Sequence, residues 1–175
     1  MPIHLKTGDI TKATVDAIVN AANPKMLGGG GVDGAIHAAA GPSLLEACRR
    51  VNAVNGIRCP FGDARLTPAG HLAARWVIHA VGPIYHRSDE PASLLASAYD
   101  QSLTLAVEYE CRSVAFPAIS CGAYGYPAHE AAQIAIDSAL NPRFSSLDIY
   151  FYLYSQPLFD TWQLALNRTI ESTNR

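Results

Sequence analysis

Residues 19–41 read VNAANPKMLGGGGVDGAIHAAAG, from Val19 to Gly41, and this stretch indicates both the fold and the site. Four consecutive glycines, Gly28 to Gly31, join a short β-branched segment to an alanine-rich segment. Glycine weakens regular structure by about 0.5–1 kcal/mol relative to alanine, so this run indicates that the backbone approaches something closely. The helix start that follows offers free N–H groups and a positive dipole end, which favour an anion.

The composition predicts one domain, spanning residues 1–175, that is large enough to bury a core. Hydrophobic residues make up 49% of the chain and charged residues 16%, as in ordinary globular proteins. The 13 Lys and Arg residues against 15 Asp and Glu residues give a net charge of −2, without any basic run. We therefore expect no binding to nucleic acid or membrane through surface charge, and a phosphate would be held by backbone amides.

The terminal sequence and the cysteine pattern favour a cytoplasmic protein. The first ten residues have no apolar segment like that of a secretory signal, and no apolar run is long enough to span a bilayer. The six histidines are scattered, and the cysteines form neither a C-x-x-C pair nor a zinc spacing. We expect reduced thiols and no structural metal. The four cysteines are Cys48, Cys59, Cys111 and Cys121.

Hydrophobic periodicity predicts strands and helices that alternate along most of the chain. The predicted strands are residues 3–7, 15–19, 64–67, 76–81, 113–116 and 147–154. The predicted helices are residues 33–40, a helix from Pro42 to Asn55-Gly56, and residues 92–109, 128–140 and 158–170. This alternation is typical of an α/β sandwich with a largely parallel or mixed sheet.

Three loops with unusual composition each follow a predicted strand. They are residues 8–10, 20–32 and 120–126. Ligands of open α/β sheets bind at the carboxyl ends of strands, so the three loops predict a single site. In the first loop, Asp9 has an ordinary interpretation as a turn or cap residue.

The glycine run contains a literal G-x-G-x-x-G at Gly29, Gly31 and Gly34, but it is a poor match to the dinucleotide fingerprint. In that fingerprint the strand runs directly into the glycine turn, whereas residues 20–27 intervene here. No strand-end acidic residue stands about 20 positions further on. A P-loop is excluded because no Gly-Lys-Ser/Thr follows. What remains is a set of consecutive N–H groups that can surround phosphate oxygens.

Asp33 is the central candidate for chemistry, and two interpretations stay open. It can be the N-cap of the helix that follows it. It can also orient or deprotonate a water molecule, or bind a sugar hydroxyl, which would explain a carboxylate beside an anion-binding loop. Asn20 and Asn23 offer uncharged donors and acceptors that suit a polyhydroxyl ligand. Their alternative role is turn formation before Pro24.

Five other side chains are of types that can react or contact a ligand. Cys121 is not expected to be a nucleophile, because free cysteine usually packs as a small apolar residue and no histidine is tied to it. His37, on a small-residue helix, is expected to pack or to support another group. His79 lies in an apolar strand and is expected to be a hydrogen-bonded core histidine. Tyr124 and Tyr126 flank Gly125, where an aromatic ring covers a ligand or joins the core.

Four motifs together resemble the macrodomain family: GDIT, VNAAN, GGGGVDGAIH and SCGAYGYP, which begin at residues 8, 19, 28 and 120. The resemblance covers essentially the whole chain, and it is to the MacroD-type class that includes bacterial O-acetyl-ADP-ribose deacetylases. It implies a three-layer α/β/α sandwich with a mixed, roughly six-stranded sheet. It also implies a cleft for ADP-ribose at the crest of that sheet.

The resemblance also implies how the ligand would lie. Asp9 would bind the adenine amino group, with the backbone of Ile10 beside it, and Tyr154 would flank adenine. Asn23 and Asp33 would meet the distal ribose and act in catalysis. The other implied substrate contacts are Asn20, as a support for that pair, Ala22, the amides of Gly30, Gly31 and Val32, and the loop of Ser120, Cys121, Gly122, Ala123 and Tyr124.

The activity implied by the family is hydrolysis of ADP-ribose esters without a metal or redox cofactor. The substrates would be O-acetyl-ADP-ribose and proteins carrying mono-ADP-ribose on Asp or Glu, and Asp33 would position or activate the water. One alternative is a non-catalytic reader that binds ADP-ribose. Another is an RNA-binding or regulatory protein that acts through its surface, against which the charge argues. We expect a monomer.

Cys121 departs from the family pattern, which usually has threonine or another small hydroxyl residue there. If the backbone amide of this residue binds the ligand, cysteine in place of a hydroxyl residue has only a small effect on the site. If a hydroxyl contacts phosphate or water, affinity or rate would fall and the site would be sensitive to oxidation. The intact Gly122 and YGYP turn favour the mild interpretation.

Overall fold

The computed structural model describes residues 3–174 and contains a six-stranded sheet in the order β1-β6-β5-β2-β4-β3. All neighbouring strands are parallel except β3, which runs antiparallel to β4. The predicted mixed, six-stranded sheet is therefore confirmed. Its strands are β1 (Ile3–Thr7), β2 (Ala17–Ala21), β3 (Ala64–Pro68), β4 (Trp76–Ala80), β5 (Ser113–Phe116) and β6 (Asp148–Leu153).

Five α-helices cover the two faces of the sheet, as the predicted three-layer sandwich requires. They are α1 (Gly31–Ala40), α2 (Pro42–Arg49), α3 (Pro91–Glu108), α4 (Ala128–Ala139) and α5 (Gln156–Thr173). Apolar residues of α1 and α2 pack with one set of strand side chains, and those of α3, α4 and α5 pack with the other set. No helix within residues 3–174 combines the length and the apolar character that a membrane crossing requires.

The central strands alternate their side chains between these two layers. In β2, Ile18 joins the core below α1 and α2, whereas Val19 joins the core below α3, α4 and α5. Asn20 has the same parity as Ile18, so its side chain lies on the side of α1. In β4, His79 shares this side with Val77, directly beside Asn20 in the parallel register.

Helix α1 begins earlier than predicted, and the interpretation of Asp33 as an N-cap is wrong. Gly30 is the N-cap residue, Gly31 is the first helical residue, and Asp33 lies in the first turn. The reason is the backbone freedom of glycine: Gly31 has φ of 58°, a conformation that residues with a side chain rarely adopt. The glycine run thus turns directly into the helix.

Helix α2 also ends earlier than predicted, at Arg49 rather than at Asn55-Gly56. Asn55 and Gly56 have φ of 54° and 80°, and Val54 and Ile57 exchange both backbone hydrogen bonds at 2.9 and 3.0 Å. An Asn-Gly pair is the preferred centre of such a two-residue hairpin turn. Residues 54–57 are therefore a small exposed hairpin and not a helix end.

Candidate functional site

A cavity of about 700 Å³ lies where the three predicted loops meet at the carboxyl ends of β1, β2, β5 and β6. Most of the residues predicted from the sequence line it, which brings the three loops into one site. Asn20 and Cys121 do not line it. The predicted residues in its wall are Asp9, Ile10, Ala22, Asn23, Gly30, Gly31, Val32, Asp33, Ser120, Gly122, Ala123, Tyr124 and Tyr154.

One end of the cavity combines an acidic side chain with two aromatic rings. Asp9 caps a short 3-10 helix, Ile10–Lys12, with its Oδ1 accepting hydrogen bonds from the amide and hydroxyl of Thr11 at 2.9 and 2.7 Å. These bonds hold the pKa of Asp9 below its usual value. Tyr152 and Tyr154 form the adjacent wall, and Tyr154 is 72% exposed. A carboxylate acceptor beside flat apolar rings suits an aromatic ring that carries an amino group.

The start of α1 supplies free backbone donors to the middle of the cavity. The first intrahelical bond at this end runs from the Gly34 amide to the Gly30 carbonyl at 3.3 Å. The amides of Gly31, Val32 and Asp33 precede it and have no helical acceptor. They add to the positive end of the helix dipole, so this wall suits an anion.

The loop after β5 forms the opposite wall. Ser120 has φ of 67°, and its hydroxyl donates to the carbonyl of Pro83 at 2.7 Å, which fixes the turn. The amides of Gly122, Ala123 and Tyr124 have no acceptor within residues 3–174. Two sets of free amides therefore line opposite sides of the cavity, as a diphosphate would require.

Cys121 is the loop residue that the structure turns away from the cavity. Its amide donates to the carbonyl of Ala118 at 3.2 Å, and its side chain packs against the core on the side of α3, α4 and α5. Burial raises the pKa of its thiol to about 12. The thiol is therefore protonated at neutral pH, which supports the prediction that Cys121 is not a nucleophile.

Asn23 and Asp33 lie together at the second end of the cavity. The Asn23 side chain is fixed by two loop contacts: its Oδ1 accepts from the Met26 amide and its Nδ2 donates to the Gly28 carbonyl, both at 3.1 Å. A methyl group added to Gly29 would lie 3.2 Å from Asp33 Oδ2 and 3.4 Å from Asn23 Nδ2. The space beside the Cα of Gly29 is therefore flanked by a carboxylate acceptor, Asp33 Oδ2, and by an amide donor, Asn23 Nδ2.

The two carboxylate oxygens of Asp33 have different surroundings. Oδ1 accepts a hydrogen bond from Asn20 Nδ2 at 2.8 Å and lies 3.4 Å from His37 Nε2. Oδ2 accepts no hydrogen bond from a side chain of residues 3–174. Burial raises the pKa of Asp33 above its usual value, and Asn20 and His37 partly oppose that rise. The result is a held carboxylate with one oxygen available to a bound molecule.

Behind Asp33, a buried chain of polar side chains fixes the Asn20 amide. Asn20 Nδ2 lies 3.3 Å from His79 Nδ1, and His79 Nε2 lies 2.9 Å from the hydroxyl of Thr67. Burial lowers the pKa of His79 to about 3, so the ring is neutral. Because Asn20 Nδ2 can only donate, His79 Nδ1 accepts and Nε2 carries the proton. His79 is the hydrogen-bonded core histidine that the sequence predicted.

Some wall residues were missed by the sequence reasoning. Tyr152 is the clearest case, and its signal was the alternation of β6, which places Tyr150 and Tyr152 on the side opposite Phe151. Gly29 lies within the glycine run that the sequence assigned to a bound anion, but no separate role was predicted for it. Gly8 and Ala21 lie in two of the predicted loops, again without a predicted role of their own. The wall residues outside the predicted loops are Ala35, Gly82, Pro117, Ala118 and Ile119.

Within residues 3–174, no group of three or more His, Cys, Asp or Glu side chains is placed to hold a metal ion. The chemistry that the arrangement offers rests on backbone donors, one fixed amide and one buried carboxylate.

The chain belongs to the Macro domain family, whose model matches residues 19–135. The resemblance stated from the motifs is thereby confirmed.

Individual relatives support this assignment over nearly the whole chain. A Macro domain-containing protein of Vibrio parahaemolyticus is 61% identical over 166 residues, which cover 95% of this chain and 98% of the relative. An O-acetyl-ADP-ribose deacetylase of Citrobacter rodentium is 51% identical over 170 residues, which cover 95% and 96%. A solved macrodomain of Oceanobacillus iheyensis with ADP is 43% identical, with a TM-score of 0.90 over 96% of this chain and 91% of that one. A mutant of that macrodomain has been solved with ADPR.

Proposed function

We propose that the protein binds ADP-ribose and hydrolyses its esters: O-acetyl-ADP-ribose, and mono-ADP-ribose attached to Asp or Glu of proteins. The observation that carries the proposal is the order of groups along the cavity. A carboxylate with aromatic walls stands at one end, two facing sets of free amides stand in the middle, and Asn23 and Asp33 stand at the other end. The relatives named O-acetyl-ADP-ribose deacetylase and the macrodomain solved with ADP support the proposed activity and ligand.

In this proposal ADP-ribose lies along the cavity, with adenine at one end and the distal ribose at the other. Asp9 accepts from the adenine amino group beside Tyr152 and Tyr154. The diphosphate takes the free amides of α1 on one side and those of residues 122–124 on the other. The distal ribose then reaches Asn23 and Asp33.

The hydrolytic part rests on the free Oδ2 of Asp33. This oxygen accepts a hydrogen bond from a water molecule, takes its proton as the water attacks, and so acts as a general base. Burial helps because it makes the carboxylate a stronger base than an exposed aspartate. Asn23 Nδ2 has a second proton beyond the one given to Gly28, and it holds a ribose hydroxyl so that the ester meets the water.

Two carbons of the ester are open to attack, the acyl carbon and the sugar carbon. Hydrolysis in ¹⁸O-water separates them, because the label enters acetate in the first case and ADP-ribose in the second.

The decisive experiment compares the wild type with Asp33→Ala and Asp33→Asn. Calorimetry measures ADP-ribose binding, and release of acetate measures turnover of O-acetyl-ADP-ribose. We expect both variants to bind ADP-ribose while turnover falls by a factor of about 10² to 10⁴, the usual contribution of a general base. Wild-type turnover by Asp33→Ala would refute the role of Asp33. Binding without turnover by the wild type would make the protein a reader.

We also propose that the protein acts as a monomer in a reducing, cytoplasmic setting. The four cysteines, all of which are unpaired, support the reducing setting. Light scattering of the purified protein tests the monomer.

A further inference from the structure

A second groove lies beyond the catalytic end of the cavity, and no step proposed so far uses it. Its volume is about 570 Å³. Its floor is apolar and two arginines stand at its side. We call it the hairpin groove, and its lining residues are Val51, Asn52, Val54, Ile57, Arg58, Pro60 and Arg65.

The hairpin groove presents apolar side chains that nothing in residues 3–174 covers. Val54 is 64% exposed and Ile57 is 40% exposed, on the small hairpin that replaces the predicted helix end. Phe61 continues the apolar surface and is 41% exposed. Exposed apolar side chains grouped in this way, around a concave surface, favour contact with another molecule.

Arg58 gives the hairpin groove an unneutralised positive charge. Its Nη1 donates to the carbonyl of Lys25 at 3.1 Å, while its buried Nε has no hydrogen-bond acceptor within residues 3–174. No carboxylate of that part of the chain pairs with it. Arg65 differs, because it pairs with Asp63 at 2.8 Å. Because Nε is buried, a bound partner would meet the remaining nitrogens of the guanidinium. A guanidinium without a counter-charge favours an anionic partner there.

Backbone contacts join the hairpin groove to the catalytic end of the cavity. The amides of Arg58 and Cys59 both donate to the carbonyl of Pro24, at 2.8 and 3.1 Å, and Pro24 follows Asn23 directly. The ring of Phe61 lies 6.5 Å from that of Tyr124, which lines the cavity. Phe61 thus lies between Tyr124, at the cavity, and its chain neighbour Pro60, which lines the groove.

We propose that the hairpin groove receives the polypeptide on one side of an ADP-ribosylated Asp or Glu, and that Arg58 selects an acidic side chain in it. This inference rests on the proposed function. An acetyl ester ends at the cavity mouth, but a protein ester continues there as a chain. Apolar walls with a single free guanidinium fit a peptide better than a nucleic acid, which would need several cations for its phosphates.

The test uses three substrates, each of which is an ester of ADP-ribose. Two are peptides ADP-ribosylated on one glutamate, with flanking aspartates in one and flanking asparagines in the other. The third is O-acetyl-ADP-ribose, which does not reach the groove. We expect the wild type to prefer the acidic peptide, and Arg58→Gln to lower kcat/KM for it about fivefold through KM. In the same variant, turnover of O-acetyl-ADP-ribose stays within about twofold of the wild-type rate, because contacts at the rim do not touch the reacting atoms.

Substitutions at Val54 separate charge from packing. Val54→Asp lowers kcat/KM for the acidic peptide, whereas Val54→Lys raises it, and neither changes turnover of O-acetyl-ADP-ribose. Leu164→Asp and Arg168→Gln, at exposed positions of α5, are the matched controls and leave all three substrates unaffected. The two Val54 substitutions also keep the test decisive if the Arg58→Gln variant folds poorly.

Three outcomes overturn the proposal. The first is no difference between the peptides in the wild type or the Val54 variants. The second is an equal loss for all three substrates, which would mean that Arg58 acts through Lys25 on the cavity. The third is turnover of O-acetyl-ADP-ribose without turnover of either peptide, which leaves the deacetylase function standing. No turnover of any substrate would refute the hydrolase function as well.

Discussion

Asp33 has one oxygen that is held and one that is free, and this asymmetry governs its chemistry. Oδ1 is fixed by Asn20, and Oδ2 opens into the cavity. Burial raises the pKa of the carboxyl group above its usual 3.8. Only the ionised form accepts a proton from water, so the rate depends on the fraction of Asp33 that is charged.

We expect turnover of O-acetyl-ADP-ribose to fall as the pH falls through the raised pKa of Asp33. The sign follows from the base role: below the pKa the carboxyl group is protonated, and the rate drops about tenfold per pH unit. The midpoint of this acid limb lies above 3.8, the unshifted value. Asp33→Asn provides the control, with a low rate that does not change over the same range. A wild-type midpoint at or below 3.8 would contradict the buried-base mechanism.

A substitution at Gly29 tests whether the reacting groups occupy the space between Asn23 and Asp33. The variant Gly29→Ala places a methyl group 3.2 Å from Asp33 Oδ2 and 3.4 Å from Asn23 Nδ2, where the water and ribose would stand. We expect turnover of O-acetyl-ADP-ribose to fall about 10²-fold, because a misplacement of about 1 Å costs that much. Calorimetry with ADP, which lacks the distal ribose, should give wild-type affinity. Equal losses of ADP affinity and turnover would show a general distortion of the loop.

Residue-level prediction from the sequence reached the location of the cavity, whereas the catalytic roles of its residues stay predictions. Asn23 and Asp33 were found because an amide and a carboxylate flank a glycine run, and both line the cavity. Asn20 was expected to support them, and its bond to Asp33 is that support. Tyr152 was missed because a tyrosine in an alternating strand looks the same whether its ring meets a helix or a ligand.

At the scale of elements, the two loops after β4 and β5 hold each other in place. Ser120 adopts a left-handed conformation and donates to Pro83, while Gly82 lies against the same serine. A side chain on Gly82 would collide with the hydroxyl of Ser120 and lie 2.6 Å from Ile119 Cγ2. The absence of a side chain at Gly82 therefore fixes the wall that offers the free amides.

We expect Gly82→Ala to destabilise the protein by about 1–3 kcal/mol, the usual cost of overpacking. Urea unfolding measures this loss, and ADP affinity should fall because Ser120 must move. Gly122→Ala is the matched control for stability, since a methyl group there meets nothing within 4 Å. Equal stabilities of the two variants would contradict the proposed close contact.

Element boundaries were harder to predict than elements, for physical reasons that two cases illustrate. The start of α1 depends on the backbone of Gly31, and glycine carries no side-chain pattern that marks it. Apolar spacing extended the prediction of α2 beyond Arg49, because Val51 falls on the same helical face as Leu44 and Cys48. The central strands were predictable because burial on both faces leaves a short, continuous apolar run in the sequence.

At the scale of the whole molecule, the four thiols share one property. Burial raises the pKa of Cys48 to about 11, those of Cys59 and Cys121 to about 12, and that of Cys111 above its usual value. Since the thiolate is the reactive form, none of them is suited to react in the folded protein. The low reactivity of the four thiols therefore comes from their burial in the fold and not from any single contact.

We expect a disulfide reagent at pH 8 to modify Cys48, Cys59 and Cys121 about a hundredfold more slowly than free cysteine, or slower still. In urea, all four thiols should react at the rate of free cysteine, in step with loss of the folded signal by circular dichroism. Thiol modification thus measures global unfolding. One thiol that reacts rapidly in the folded protein would contradict this expectation.

The buried amide of Asn20 gives the site an internal probe. Both of its protons are engaged, one by Asp33 Oδ1 at 2.8 Å and one by His79 Nδ1 at 3.3 Å, while its oxygen accepts no hydrogen bond within residues 3–174. Protonation of Asp33 at Oδ2, the free oxygen, neutralises the carboxylate and so weakens the hydrogen bond that Oδ1 accepts from Asn20 Nδ2. The ¹⁵N and ¹H resonances of this one side chain therefore report the charge on Asp33 during a pH titration, in the native protein and without a label in the cavity.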